Sequence, residues 1–274
     1  MSVKLASLQD CERLFRERVE PDRRPFDRRR FDRYSKKHRT PRAAISFVQE
    51  KDGNFNSTSG TATFTTAVTA GDTLFCLVNP INTTSAAFTL SVADSLNGTW
   101  NSAGSFFSAF ESQAQLFYFL NSAAGNPTIT ITTSTSGVVA WAIAEYKNIA
   151  AIDVTPTATS TTTGASFPCP NVTTTMPGDL ILCALAYGGN PGTTTVSSPY
   201  TLRVTTQTNG TMFGEQIASS ATLYTGATFS ITFSGSAGYG ITSSWKAVNA
   251  SMAFGDDSFG VMPCAGFDQN VTVF

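Results

Sequence analysis

The sequence predicts an all-β body, an internally duplicated β-sandwich, behind an N-terminal helix and an extended basic arm. Three observations carry this expectation. From about Ala43 onward, β-branched and aromatic residues alternate with period two in short runs broken by Gly, Pro, Asn and Ser. Several of those runs occur twice, in the same order. The charge is also divided: residues 1–42 hold 14 basic and 7 acidic side chains, net +7, and residues 43–274 hold 4 and 12, net −8.

The helix comes first. Leu5, Leu8, Cys11, Leu14, Phe15 and Val19 recur at spacings of mostly three to four, which puts them on one stripe of a helix over 4–20, closed by Pro21. A stripe of this kind needs a partner, either the body or a neighbouring subunit.

From Pro21 to Arg42 the period is lost and the chain reads as an extended arm. Arg23, Arg24, Arg28, Arg29, Arg30, Arg33, Lys36, Lys37 and Arg39 are interleaved with Phe26, Phe31 and Tyr34. Arginine beside aromatics is what phosphate contact and base stacking require, so nucleic acid is one candidate partner. Asp22, Asp27 and Asp32 would each offset a phosphate contact. They favour docking on an acidic neighbouring subunit, and a solvated tail is the remaining reading.

The body's strands are predicted at Thr61–Val68, Asp72–Val78, Ala87–Val92, Gln115–Leu120, Thr128–Thr132 and Val138–Tyr146. Sliding the body along itself sets AGDTLFCLV at 70–78 over PGDLILCAL at 177–185. Asn97-Gly98-Thr99 then falls on Asn209-Gly210-Thr211, Thr128–Thr132 on Thr228–Thr232, and Glu145-Tyr146-Lys147 on Ser244-Trp245-Lys246. Gly-Asp before an apolar run starts a buried strand, and Asn-Gly suits a two-residue hairpin. The division is residues 1–42 for helix and arm, 43–152 for the first repeat, 153–252 for the second and 253–274 for a C-terminal extension. Each repeat is expected as an Ig-like or jelly-roll-like sandwich, and 150–168 as a linker or an extended edge strand.

Little of this supports catalysis. The single histidine, His38, lies in the arm, away from any strand that could place a nucleophile beside it. The five cysteines have no metal-ligand spacing, so neither metal nor cofactor is expected, and Cys76 and Cys183 read as buried thiols. Asp94, Asp256 and Asp257 read as solvated turn carboxylates. Paired carboxylates could come only from Glu111, Glu145 and Glu215, and Glu145 meets Ser244 in the second copy. Gly235, Gly238 and Gly240 read as a tight turn. Met1 to Val19 is too charged for a secretory signal. The longest apolar stretches, Leu180–Tyr187 and Val138–Ala144, fall well short of the ~20 residues of a membrane helix, so no membrane partner is expected.

The Gly71-Asp-Thr-Leu start, the Asn97-Gly-Thr hairpin and the strand ending Ala144-Glu-Tyr-Lys-Asn-Ile resemble duplicated β-sandwich modules of tailed-phage virion proteins and bacterial surface proteins, over residues 55–250. The resemblance implies a non-enzymatic virion structural protein, capsid-decorating or tail-associated, that self-assembles with other copies or with a capsid or tail protein through its arm. Two alternatives are a carbohydrate-binding or adhesive module of the cell surface, stacking glycan on Trp100, Tyr187, Tyr239 or Trp245, and a coat protein with a genome-binding arm.

Overall fold

A computed structural model describes residues 43–81, 89–108, 112–161, 163–203, 210–233 and 235–248, with 107, 108 and 112 as backbone alone. The predicted helix with its stripe from Leu5 to Val19, the basic residues from Arg23 to Arg39 and the extension 253–274 lie outside these residues. Every regular element among the described residues is a β-strand.

The first half contributes β1 (Ser46–Thr63), β2 (Thr73–Ile81), β3 (Leu90–Asp94), β4 (Gly98–Thr99), β5 (Asn101–Ser108), β6 (Ser112–Phe119) and β7 (Thr128–Lys147). They form one antiparallel sheet in the order β4-β3-β7-β2-β6-β5, with β1 along the other edge of β7. The runs expected as two strands at 128–132 and 138–146 are one strand. It pairs with β3 through its first part and with β2 through its second. Between them its register against β1 slips, so that Ser57 faces Gly137 and Ser59 faces Thr132. The small residues of Thr-Ser-Thr-Ser-Gly at 133–137 allow that irregularity.

β4 and β5 are separated only by Trp100, whose N–H donates to Val92 O at 2.9 Å. β4 pairs with β3 and β5 with β6, so the sheet nearly closes on itself. Its interior is filled by Leu74, Cys76 and Val78 from β2, Ile129, Ile131, Val139, Trp141 and Ile143 from β7, and Val92, Trp100 and Phe117.

The second half contributes β8 (Ile149–Thr161), β9 (Ser166–Pro168), β10 (Val172–Thr173), β11 (Leu180–Tyr187), β12 (Thr194–Val196), β13 (Thr201–Leu202), β14 (Thr211–Ile217), β15 (Leu223–Tyr224), β16 (Thr228–Ile231) and β17 (Gly238–Ala247). They pair as β13-β14-β11-β17-β8, β12-β16-β9 and β10-β15. The stretch at 150–168 is thus largely an edge strand, β8, laid along β17.

β2 is buried on both faces, which is why its sequence is a continuous apolar run and not an alternating one. Leu74, Cys76 and Val78 serve the first core, while Phe75 and Leu77 join Ala142, Ala144, Tyr146 and Leu116 in a core shared with β11, β14 and β17. The Phe75 ring lies 4.6 Å from Trp245 and 5.7 Å from Tyr146, both edge-on, and Tyr118 lies 5.1 Å from Trp245. The Asn79 amide donates to Tyr187 O at 2.8 Å across the same boundary.

Two turn expectations need correction. Asn97-Gly98 is not a two-residue hairpin: Asp94 pairs with Gly98, leaving three residues between them. The Asp94 carboxylate accepts the N–H groups of Leu96 and Asn97, both at 2.7 Å, and so selects the longer turn. Its supposed counterpart, Gly210, sits before β14 with its carbonyl bonded to Tyr187 N, at a different place in the fold. Gly238 and Gly240 belong to β17 and not to a turn. A Cβ on Gly240 would stand 2.4 Å from Pro168 O, so glycine there permits close backbone approach.

Candidate functional sites

The described chain begins and ends at one place. Ala43 N donates to Val248 O at 3.2 Å, and Val248 N to Asn148 O at 2.8 Å. Asn148, at φ 64°, turns the chain from β7 into β8 and donates its side-chain amide to Ala44 O at 2.7 Å. Ser46 is paired with Lys147, and Ala247 with Ile149. Residues 43 and 248, the first and last of the described chain, therefore lie side by side. The opposite strand ends carry other connections: Ile81 faces Ser112, and Asn79 reaches Tyr187, which bonds Gly210.

A buried carboxyl pair lies at the terminal end. Glu145 is fully buried in β7, and Asp72, 5% exposed, immediately precedes β2. Glu145 accepts the Thr69 N–H at 3.0 Å and the Gln49 amide at 2.5 Å. Gln49, on β1, also accepts from Thr66 N and Thr66 Oγ1, at 3.0 and 2.9 Å. Burial, then hydrogen bonding and charge repulsion from Glu145, push the Asp72 carboxyl up to about 7, against the opposing pull of Lys147. One network thus ties β1, the segment leading into β2, and β7.

The second half holds Asp153 differently. Its carboxylate accepts Thr175 N and Oγ1 at 2.9 and 2.5 Å and Ser244 Oγ at 3.1 Å, with Lys246 Nζ at 3.3 Å. Burial raises its pKa, and these donors outweigh that and lower it.

Cys183 Sγ sits 3.5 Å from Thr242 Oγ1 and 3.4 Å from Ala227 N, and Cys169 N donates to Ala227 O at 2.7 Å. Cys76, Cys169 and Cys183 are all free and buried, as expected for Cys76 and Cys183. Burial pushes the Cys76 and Cys169 thiols up, and for Cys183 the hydrogen bonds from Cys169, Thr242, Ala227 N and Tyr200 outweigh it and lower its pKa. Between the halves, Arg203 pairs with Glu215 and lies 4.4 Å over the Phe47 ring.

The aromatics expected to offer stacking surfaces do not. Trp100, Tyr187, Tyr239 and Trp245 are all buried. Trp100 donates its indole N–H to Asp94 at 2.6 Å, so Asp94 is a buried, engaged carboxylate and not a solvated one. Of the carboxylates weighed for catalysis, Glu145 and Glu215 lie in separate networks, and Glu111 lies outside the described residues. Among the described residues no three His, Cys, Asp or Glu side chains gather as metal ligands, and no helix is long and apolar enough to cross a membrane. Sequence reasoning missed the approach of Asp72 to Glu145; its only trace was Glu145 aligning with Ser244 when the sequence is slid along itself. No family model, curated protein or solved structure matches the chain.

Proposed function

We propose that this chain is a structural subunit of a virion, capsid-decorating or tail-associated, built to assemble with other copies of itself or with a capsid or tail protein through residues 1–42. The observation that supports this most is the meeting of Ala43 and Val248 at one end of the body, with Ile81, Ser112 and Gly210 at the opposite strand ends. A subunit held at one end presents its far loops outward, and a net +7 arm attached to a net −8 body is suited to docking on a neighbouring body. The absence of an exposed aromatic platform among the four aromatics weighed for it disfavours the glycan-binding alternative.

The body itself we read as two copies of one sandwich module. Gly71 and Gly178 have φ of 89° and 87°. Gly71 N donates to Ser122 O and Ser122 N to Asp72 O; Gly178 N donates to Ala218 O and Ala218 N to Asp179 O. In both halves the strand that follows is flanked by the same pair, β6 and β7 around β2, β14 and β17 around β11. Tyr146 and Trp245, matched in the alignment, then meet around Phe75.

The assembly reading is tested by size-exclusion chromatography with light scattering on the full chain and on a form lacking residues 1–42, with ultraviolet absorbance recorded. Large, nucleic-acid-free assemblies of the full chain and a monomeric truncation are expected. Two clean monomers would overturn the reading, and nucleic acid released steeply by salt would replace it with genome binding.

A further inference from the structure

Two of the three buried thiols converge on one residue of the second half. Cys169 lies in the connection between β9 and β10, and Cys183 in the middle of β11. Both are held around Ala227: Cys169 N donates to its carbonyl at 2.7 Å, and the Ala227 N–H donates to Cys183 Sγ at 3.4 Å. Cys169 Sγ in turn lies 3.8 Å from the carbonyl oxygen of Ala184, the residue next to Cys183. Two glycines let the chain at 169 press in this closely. A Cβ on Gly226 would stand 2.2 Å from Cys169 O, and one on Gly240 would stand 3.1 Å from Cys169 Cα. Burial disfavours both thiolates, and the hydrogen bond between the two thiols then raises Cys169 further and lowers Cys183, in keeping with that geometry. Cys76 takes no part, since it faces the other core.

We propose that Cys169 and Cys183 are a redox pair that closes into a disulfide when the protein meets hydrogen peroxide, fastening the β9–β10 connection to β11. Cys183 reacts first, because Ala227 N and Thr242 Oγ1, at 3.4 and 3.5 Å, can donate to its thiolate. It attacks one peroxide oxygen, the O–O bond breaks, and the oxygen that leaves takes up the thiol's proton as water. The sulfenic acid left on Cys183 is then attacked by Cys169 Sγ, which expels a second water. Two thiols and one peroxide thus become one disulfide and two waters, with the sulfurs giving up two electrons to the oxygens. Access comes through the Cys169 segment. Its flanking strands, β9 and β10, are three and two residues long, so this connection opens more cheaply than β11, which is paired along both edges. Reduced, the connection can open; oxidised, it is tied to the centre of its sheet. A chain folded in a reducing compartment and later released from it would harden only after release. The inference does not depend on the assembly reading, since it concerns a single body.

The test treats the full chain, first fully reduced, with hydrogen peroxide, then unfolds it under alkylation and maps its peptides by mass spectrometry. Cys169→Ser and Cys183→Ser variants are run beside it. The expected result is a cross-linked peptide joining Cys169 to Cys183, and a thermal midpoint that rises by roughly 5–10 °C and falls back on reduction. In either variant that peptide is absent and peroxide leaves the midpoint where it was. Recovery of both cysteines unlinked after treatment, or of either joined to Cys11, Cys76 or Cys264 instead, overturns the proposal. So does a peroxide-induced rise that persists in both variants. Should a variant fail to fold, the wild-type peptide map alone decides it.

Discussion

At the scale of single residues, the side chains that matter most are those serving two layers at once. Phe75 touches Tyr146 on its own sheet and Trp245 on the other, so nothing can collapse into the space it fills. Phe75→Ala is expected to cost about 3–5 kcal/mol, read as a lower urea midpoint with an unchanged slope. Trp100→Phe keeps an aromatic ring but loses part of the indole's volume together with the donor to Asp94, leaving a buried carboxylate short of one bond; a loss of about 1–3 kcal/mol from that bond, with a cavity cost added, is expected by the same measurement. Gly240→Ala, with its Cβ against Pro168 O, should be as damaging as a core truncation although it adds only a methyl group.

Elements show what could be read from the sequence and what could not. β2 and β11 were legible because each is an unbroken apolar run opened by Gly-Asp, the pattern of a strand covered on both faces. β1 was not, beyond its last residues. Its sequence SFVQEKDGNFNSTSG is polar, glycine-containing and without alternation, and it is a strand because β7 supplies a partner along its length. For the same reason Gln49 could not be placed beside Glu145, which is near it only through that pairing. The single long β7 was hidden by Thr-Ser-Thr-Ser-Gly, which reads as a turn and is a slip in register instead.

The two buried acid networks make opposite demands on pH, and this is an expectation about elements. Asp72 releases its proton near 3.8 in the unfolded chain and near 7 in the fold. Between those values the fold holds a proton that the unfolded chain lacks, so this contribution is full below 3.8 and is lost as pH rises to 7. Asp153 is held below its ordinary value, so its contribution is present above that value and is lost as pH falls through the depressed one. The thermal midpoint should therefore pass through a maximum in mild acid. Asp72→Asn should flatten the neutral side and Asp153→Asn the acid side, in calorimetric scans across pH 2 to 8.

For the whole molecule, the shared core decides cooperativity. One cluster of buried side chains includes Phe75, Leu77 and Tyr146 from the first half and all of β11 from the second. Neither half can lose its structure without exposing the other's inner face, so the body is expected to unfold in one transition, with calorimetric and van't Hoff enthalpies in agreement. A fragment ending at Asn148 should expose Phe75, Leu77 and Tyr146 and aggregate or remain unfolded when expressed alone. Two independent domains joined by a linker would instead show two separable transitions.

The hydrogen bond from Ala43 N to Val248 O makes the body a loop that is almost shut. A chain whose ends touch can be cut and rejoined: a short bridge from residue 248 to residue 43, with new ends opened within 204–209, should yield a circularly permuted body with nearly unchanged thermal stability. For the same reason, the body could be inserted whole into an exposed loop of another protein, entering and leaving at a single point without forcing its host apart.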